Sequence, residues 1–262
     1  MKFWVLIPAR AGSTRLPNKP LLDIAGKPMI AHVIETAKKS GANKIIVATD
    51  DQRVKSVSET FGATAIMTSV HHESGSDRIA EVAKILDAPD NQIIVNLQGD
   101  EPLMPPGIIK KVAKLKEENK KVHVTTVATQ VENFNQILDP NCVKVILNQY
   151  NEAIYFSRSV IPYQRDKSNE SSNLAYNTSI TNNQVSYLRH VGIYCFQIAD
   201  IKKFVSWGPC QLEVAEKLEQ LRWLWKKKTI KVMIESEKLV HGVDTEQDLK
   251  KIRVLFQSKK IT

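Results

Sequence analysis

Phe3-Trp4-Val5-Leu6-Ile7 runs straight into Pro8-Ala9-Arg10-Ala11-Gly12-Ser13-Thr14-Arg15-Leu16-Pro17-Asn18-Lys19-Pro20, and this pairing decides the fold. Five apolar residues ending at a proline have the length and character of a buried strand, and the polar segment after them reads as a loop. Downstream, Pro28 to Ser40 carries apolar residues at Ile30, Val33, Ile34 and Ala37, which is helical spacing. The pattern then repeats. Lys44 to Ala48 is a β-branched run halted by Asp50 and Asp51, and Gln52 to Phe61 follows as a helix. Thr64 to Met67 reads as a third strand, Asp77 to Leu86 as a helix, and Gln92 to Leu97 as an apolar strand stopping at Gln98-Gly99-Asp100. Short buried strands alternating with helices predict an α/β fold built on a mostly parallel open sheet with helices on both faces, joined by right-handed crossovers. Function in such sheets gathers at the carboxyl ends of strands, where the loops at Pro8, Asp50 and Gln98 all fall.

Beyond Lys121 the rhythm changes. Val122 to Thr129, Val143 to Asn148 and Ala153 to Phe156 read as strands without long helices between them, hence as antiparallel additions in a strand-rich subdomain around 122–200 of a single 262-residue domain. Ser168 to Ser186 is rich in Ser and Asn and reads as a mobile surface loop. Gln211 to Trp225 reads as one helix with an apolar stripe of Leu212, Ala215, Leu218, Leu221, Leu224 and Trp225. Ile230 to Ile234 is a last strand, and a terminal helix begins at its cap, Thr245.

A content of 42% hydrophobic and 25% charged residues matches an ordinary globular composition that can bury a sizeable core, so disorder is not the default expectation. Three widely spaced cysteines, Cys142, Cys195 and Cys210, fit neither a disulfide framework nor a zinc site and read as thiols of a reducing compartment. Met1 to Ile7 is shorter than a secretory apolar core and no run reaches membrane-spanning length, so the expectation is a cytoplasmic protein without membrane attachment. The formal charge of +9 allows nucleic acid or small polyanions as partners. Its lysines cluster in runs such as Lys110, Lys111, Lys114 and Lys116 without interleaved aromatics, which reads as a solvated face rather than a nucleic-acid surface.

In the loop after the first strand, Arg10, Arg15 and Lys19 supply three cations, and Gly12 permits close backbone approach, a combination suited to a triphosphate. Neither a Walker loop nor a dinucleotide fingerprint is present. Asp100 follows the strand ending at Leu97, and Asp244 follows the last strand after a connector; two carboxylates meeting at a triphosphate are a common way to hold Mg²⁺. Taken singly, each could equally be a turn aspartate or a helix cap.

The loop at 8–20 joins other runs: Ser74-Gly75-Ser76-Asp77-Arg78, Gln98 to Pro102, Tyr155-Phe156-Ser157-Arg158, Arg189-His190-Val191-Gly192-Ile193-Tyr194, Leu218-Glu219-Gln220-Leu221-Arg222 and Gly242 to Thr245. In this order and over almost the whole chain they resemble the 3-deoxy-manno-octulosonate cytidylyltransferases (CMP-Kdo synthetases). The resemblance implies the nucleotide-diphospho-sugar transferase fold and transfer of CMP from CTP to 3-deoxy-D-manno-octulosonate (Kdo), with pyrophosphate released, by a homodimer serving lipopolysaccharide synthesis. It further implies that Ala9, Arg10, Ser13, Arg15 and Lys19 hold the CTP phosphates and that Ser74, Gly75 and Arg78 line the nucleoside. Asp100 and Asp244 would then ligate Mg²⁺, the expected cofactor. Gln98, Arg158, His190, Tyr194, Glu219 and Gln220 would surround the sugar acid, Arg158 facing its carboxylate. Arg10, Lys19, Asp100 and Asp244 would carry the catalysis. By residue type alone His190 is a candidate base or a core histidine. Other acceptors stay open, namely the 8-amino analogue of Kdo and a sialic acid, as does a nucleotide- or RNA-binding module without catalysis.

Overall fold

A computed structural model describes residues 1–12, 16–72, 74–165 and 187–259. The chain forms two compact units: residues 1–119, 193–206 and 239–262 make the first, and residues 120–192 and 207–238 the second.

The first unit opens with β1 (Phe3–Pro8), then a 3₁₀ turn at Lys19–Leu21 and a small hairpin of β2 (Asp23–Ile24) and β3 (Lys27–Pro28), which leads into α1 (Met29–Lys39). There follow β4 (Lys44–Thr49), α2 (Gln52–Thr60), β5 (Thr64–Met67), α3 (Gly75–Ile85), β6 (Ile93–Asn96) and α4 (Pro106–Glu118). Strand β1 lies between β4 and β6, parallel to both, and β5 extends the parallel set beyond β4. That central place explains its composition: Phe3, Val5, Leu6 and Ile7 are all buried, as in a strand covered on both faces. The paired acids after β4 divide their work. Asp51 caps α2 by accepting from the Arg53 and Val54 amides, and the Arg53 side chain holds its carboxyl down at about 2. Asp50 turns instead toward the loop after β1.

Lys116, grouped by sequence with the solvent-facing lysines, is buried on α4. Burial pushes its ammonium pKa down, opposed by the charges of Asp200 and Cys195. A four-carbon stem lets a lysine occupy an apolar helix face, which a count of charges along the sequence does not register.

The second unit begins with β7 (Val124–Gln130), followed by α5 (Phe134–Leu138), β8 (Lys144–Leu147) and β9 (Ala153–Ser157). Strand β10 (Leu188–Gln197) leaves this unit and ends in the first, where Tyr194 to Gln197 run antiparallel to β6, and α6 (Ile198–Ser206) follows it there. The chain returns to the second unit for α7 (Gln211–Glu216), α8 (Gln220–Trp225) and β11 (Ile230–Glu235), which lies parallel to β7. Strands β8 and β9 are antiparallel, as are β8 and the start of β10. The chain closes with α9 (Glu246–Lys259) in the first unit, where Thr245 and Asp248 exchange hydrogen bonds as a cap. The mixed, mostly parallel sheet strands with antiparallel additions match the expected fold class.

Two expectations about elements change. The single helix expected over Gln211 to Trp225 is two, broken at Lys217, whose φ of 53° is left-handed. Glu213 and Arg222 account for the break. Nine residues apart, they would be separated by about 13 Å along a continuous helix, yet their buried side chains pair at 2.5 and 2.7 Å. Trp225, expected in the apolar stripe, is half exposed, while Leu218, Leu221 and Trp223 are buried. Secondly, the run containing His190 to Tyr194 belongs to the long strand β10, and α6 succeeds it; the sequence reading placed no element at either. The expected loop at 168–186 lies outside the described residues. Among the described residues no helix is long and apolar enough to cross a membrane, and the three cysteines are buried and in no disulfide.

Candidate active site

The loop after β1 is fastened from three sides. The Ala9 amide continues the strand ladder by donating to Ala48 O at 2.9 Å, and the Ala11 amide donates to Asp50 Oδ1 at 3.2 Å. Asp50 Oδ2 in turn accepts from Arg78 Nη2 at 2.9 Å, while Arg78 Nη1 donates to Thr68 Oγ1. Buried to 2% exposure, Arg78 thus acts on the loop through Asp50. The third fastening is the turn after β6, where a Cβ on Gly99 would lie 2.9 Å from Pro8 O, so only glycine lets the two loops approach this closely. Ser74 caps α3 by accepting from the Asp77 amide, and Gly75 in its first turn packs on Pro8 with Gln98 Oε1 nearby. The positive end of α3 therefore faces the same corner as the basic loop, an arrangement favourable to an anion. Arg10 is exposed beside it.

Asp100 and Asp244 do meet, 144 positions apart in sequence. Val243 donates its amide to Asp100 O at 2.9 Å, and Gly242 lies so close that a Cβ there would come within 2.9 Å of Glu101 Oε1. Asp248 Oδ2 accepts from the Asp244 and Thr245 amides, fixing the entry to α9. Lys19 Nζ contacts both acids, at 2.5 Å from Asp100 Oδ2 and 3.1 Å from Asp244 Oδ1. Burial would lower the Lys19 pKa, but Asp100 and then Asp244 outweigh it and hold the pKa above its ordinary value. Both carboxylates stay partly open, at 31% and 43% side-chain exposure, so other ligands can reach them. Among the described residues there is no cluster of three or more metal-ligating side chains. Two accessible carboxylates already gathered round one cation fit Mg²⁺, which commonly takes one or two protein carboxylates and completes its shell with phosphates and water.

The residues expected around the sugar fall in both units. Gln98, whose Nε2 donates to Asn96 Oδ1 at 3.3 Å, and Tyr194, in register with Asn96, stand at the carboxyl end of β6 in the first unit. Arg158, His190, Glu219 and Gln220 belong to the second. There Arg158 gives its Nε to Glu216 O at 2.6 Å and its Nη1 to Pro140 O at 2.8 Å, so much of its fork already holds backbone carbonyls. His190 is buried, with Nε2 2.9 Å from Thr126 Oγ1 and its ring edge-on to Phe156. Burial, reinforced by Arg189, pushes its pKa down to about 3, so the imidazole is neutral and a weak base. Gln220 is buried at the start of α8 beside Glu219. Ser13 and Arg15 lie outside the described residues. Asp50 was missed as a site residue. Its signal was present, a carboxylate at the end of a parallel strand in the position that singled out Asp100, but next to Asp51 it reads only as the stop of the strand.

A basic loop after the first strand, a helix start facing it and two carboxylates on one ammonium define the α/β class that handles nucleoside triphosphates at strand ends. Residues 4–230 match the family model described as Cytidylyltransferase. The 3-deoxy-manno-octulosonate cytidylyltransferase of Haemophilus influenzae (strain PittEE) is 49% identical over 257 residues, spanning 98% of this chain and 99% of that one. Its counterpart in Coxiella burnetii (strain RSA 493 / Nine Mile phase I) is 46% identical over 256 residues, 98% and 100% of the two chains. Among solved structures, CMP:2-keto-3-deoxy-manno-octonic acid synthetase complexed with CTP superposes with a TM-score of 0.87 at 38% identity, over 99% of this chain and all of that one. A cytidylyltransferase from Leptospira borgpetersenii serovar Hardjo-bovis (strain JB197), 18% identical with a TM-score of 0.62 over 98% and 87% of the chains, shares the fold. The chain belongs to the cytidylyltransferases, and among them to the 3-deoxy-manno-octulosonate cytidylyltransferase family.

Proposed function

We propose that this enzyme transfers the cytidylyl group of CTP to Kdo, releasing pyrophosphate, with Mg²⁺ held by Asp100 and Asp244. The convergence of Lys19, Asp100 and Asp244 beside the basic loop carries the reading, and the full-length relatives named for this reaction supply the acceptor. The anomeric hydroxyl oxygen of the sugar forms a bond to the α-phosphorus, the bond from that phosphorus to the bridging oxygen of the β-phosphate breaks, and the hydroxyl proton passes to solvent. Arg10 and Lys19 neutralise the triphosphate, and the loop held by Asp50 and Arg78 keeps its amides in place. When bound, Mg²⁺ offsets charge on the α-phosphate and the departing pyrophosphate. His190, neutral and buried, is read as part of the acceptor side rather than as the base. A cytoplasmic homodimer supplying lipopolysaccharide synthesis completes the proposal.

Pyrophosphate release measured with CTP and Mg²⁺ tests it, with Kdo, its 8-amino analogue and N-acetylneuraminate as parallel acceptors. Turnover is expected with Kdo; a preference for either other sugar refutes the acceptor assignment. Asp100→Asn and Asp244→Asn should each lower the Mg²⁺-dependent rate at least about 100-fold, and rates near wild type would remove the metal assignment. Sedimentation of the enzyme as a monomer at working concentration would refute the dimer.

A further inference from the structure

Lys19 has two claims on it that cannot both be met. In the proposed reaction its ammonium belongs to the triphosphate, while in the structure it lies 2.5 Å from Asp100 Oδ2 and 3.1 Å from Asp244 Oδ1, in contact with both acids assigned to the metal. Its side chain is only 13% exposed, so the contact is enclosed rather than a chance surface pairing. Three charges meet there, two negative and one positive. A divalent ion entering beside the ammonium would place like charges a few ångströms apart in a partly dry pocket, where their repulsion far exceeds its value in water.

We infer that Lys19 is an internal stand-in for the divalent cation, blocking Asp100 and Asp244 until an incoming triphosphate draws its ammonium away. This rests on the proposed function and adds an order to it. With the nucleotide absent, the carboxylates are occupied and the cation binds weakly. With the nucleotide present, the ammonium exchanges two carboxylates for phosphate oxygens, and the freed pair accepts the cation. Nucleotide and metal thereby assist each other's binding through one side chain, and the assistance is reciprocal. The lysine lies on the 3₁₀ turn at Lys19–Leu21, behind the left-handed Asn18, so a movement of its long stem suffices and no strand need shift.

The test measures Mn²⁺ binding without nucleotide, by electron paramagnetic resonance of free Mn²⁺, in wild type, Lys19→Met and Lys19→Gln. Removing the ammonium should tighten Mn²⁺ binding at least about tenfold, and adding Asp244→Asn to Lys19→Met should abolish the gain. Thermal melting without nucleotide gives a second reading: Mn²⁺ should raise the melting temperature of both Lys19 variants more than that of wild type, even if either variant is weakly folded alone. Equal or weaker Mn²⁺ binding by both variants, or no rescue of a weakly folded variant by Mn²⁺, overturns the inference while Asp100 and Asp244 remain metal ligands. If Asp100→Asn and Asp244→Asn alter neither Mn²⁺ binding nor Mg²⁺-dependent turnover, the metal assignment itself falls, and the inference with it.

Discussion

The imidazole of His190 meets Thr126 Oγ1 from β7, the ring of Phe156 from β9 and the neighbouring charge of Arg189. Burial first, then Arg189, depresses its pKa to about 3. Between that value and the ordinary 6.5, the unfolded chain binds a proton that the folded chain refuses, so stability rises with pH across this window and is lost as pH falls through it. We predict that the denaturation midpoint declines from pH 6.5 to pH 5, above the range of the depressed carboxylates, and that His190→Gln, which can still bond Thr126, flattens the decline. A decline equally steep in His190→Gln would show the proton to be taken up elsewhere. Residue type alone left His190 between base and core histidine, because chemistry can be read from a side chain but burial cannot. Asp100 was legible for the opposite reason: an acid directly after an apolar strand is placed at the functional edge by the chain itself. Its contact with Asp244 through Lys19 required folding to be seen.

At the scale of elements, β1, β4, β5 and β6 and the helices α1 to α3 followed from the alternation of short apolar strands with helices, whereas α4 and the β2–β3 hairpin were not read. The break at Lys217 was hidden because Leu212, Leu218, Leu221 and Leu224 also suit one unbroken helix, whereas the interaction that favours two is polar. Glu213 accepts from Arg222 Nε and Nη2 and from the Cys210 amide, all in buried surroundings. Arg222→Met therefore leaves a buried carboxylate without its cation, a loss expected to cost about 3–5 kcal/mol. Lys217→Gly should instead stabilise by roughly 0.5–1 kcal/mol, since glycine takes a φ of 53° without strain. Chemical denaturation of both variants checks the pair. A cost below about 1 kcal/mol for Arg222→Met would mean that the ion pair does not hold the two helices.

For the whole molecule, the roles proposed for the two substrates are distributed unevenly over the two units. Every described residue assigned to the nucleotide or the metal, from Ala9 and Arg10 to Asp100 and Asp244, belongs to the first unit, although the chain crosses between units four times. Of the residues proposed for the acceptor, Gln98 and Tyr194 belong to the first unit and Arg158, His190, Glu219 and Gln220 to the second. A sequence read in order does not reveal this, because the first unit recruits residues 193–206 and 239–262 after long excursions. This distribution has a kinetic consequence. Gln220→Ala should raise the KM for the sugar about tenfold, the typical loss of one well-placed polar contact, and leave the KM for CTP within about twofold. Arg10→Ala should do the reverse, because it removes a cation proposed to neutralise the phosphates. Since Gln220 is buried, the melting temperature of its variant must be measured alongside, so that lost folding is not mistaken for lost binding. Parallel rises in both Michaelis constants for a stably folded Gln220→Ala enzyme would show that the second unit also serves the nucleotide, and the assignment of substrates to units would fail.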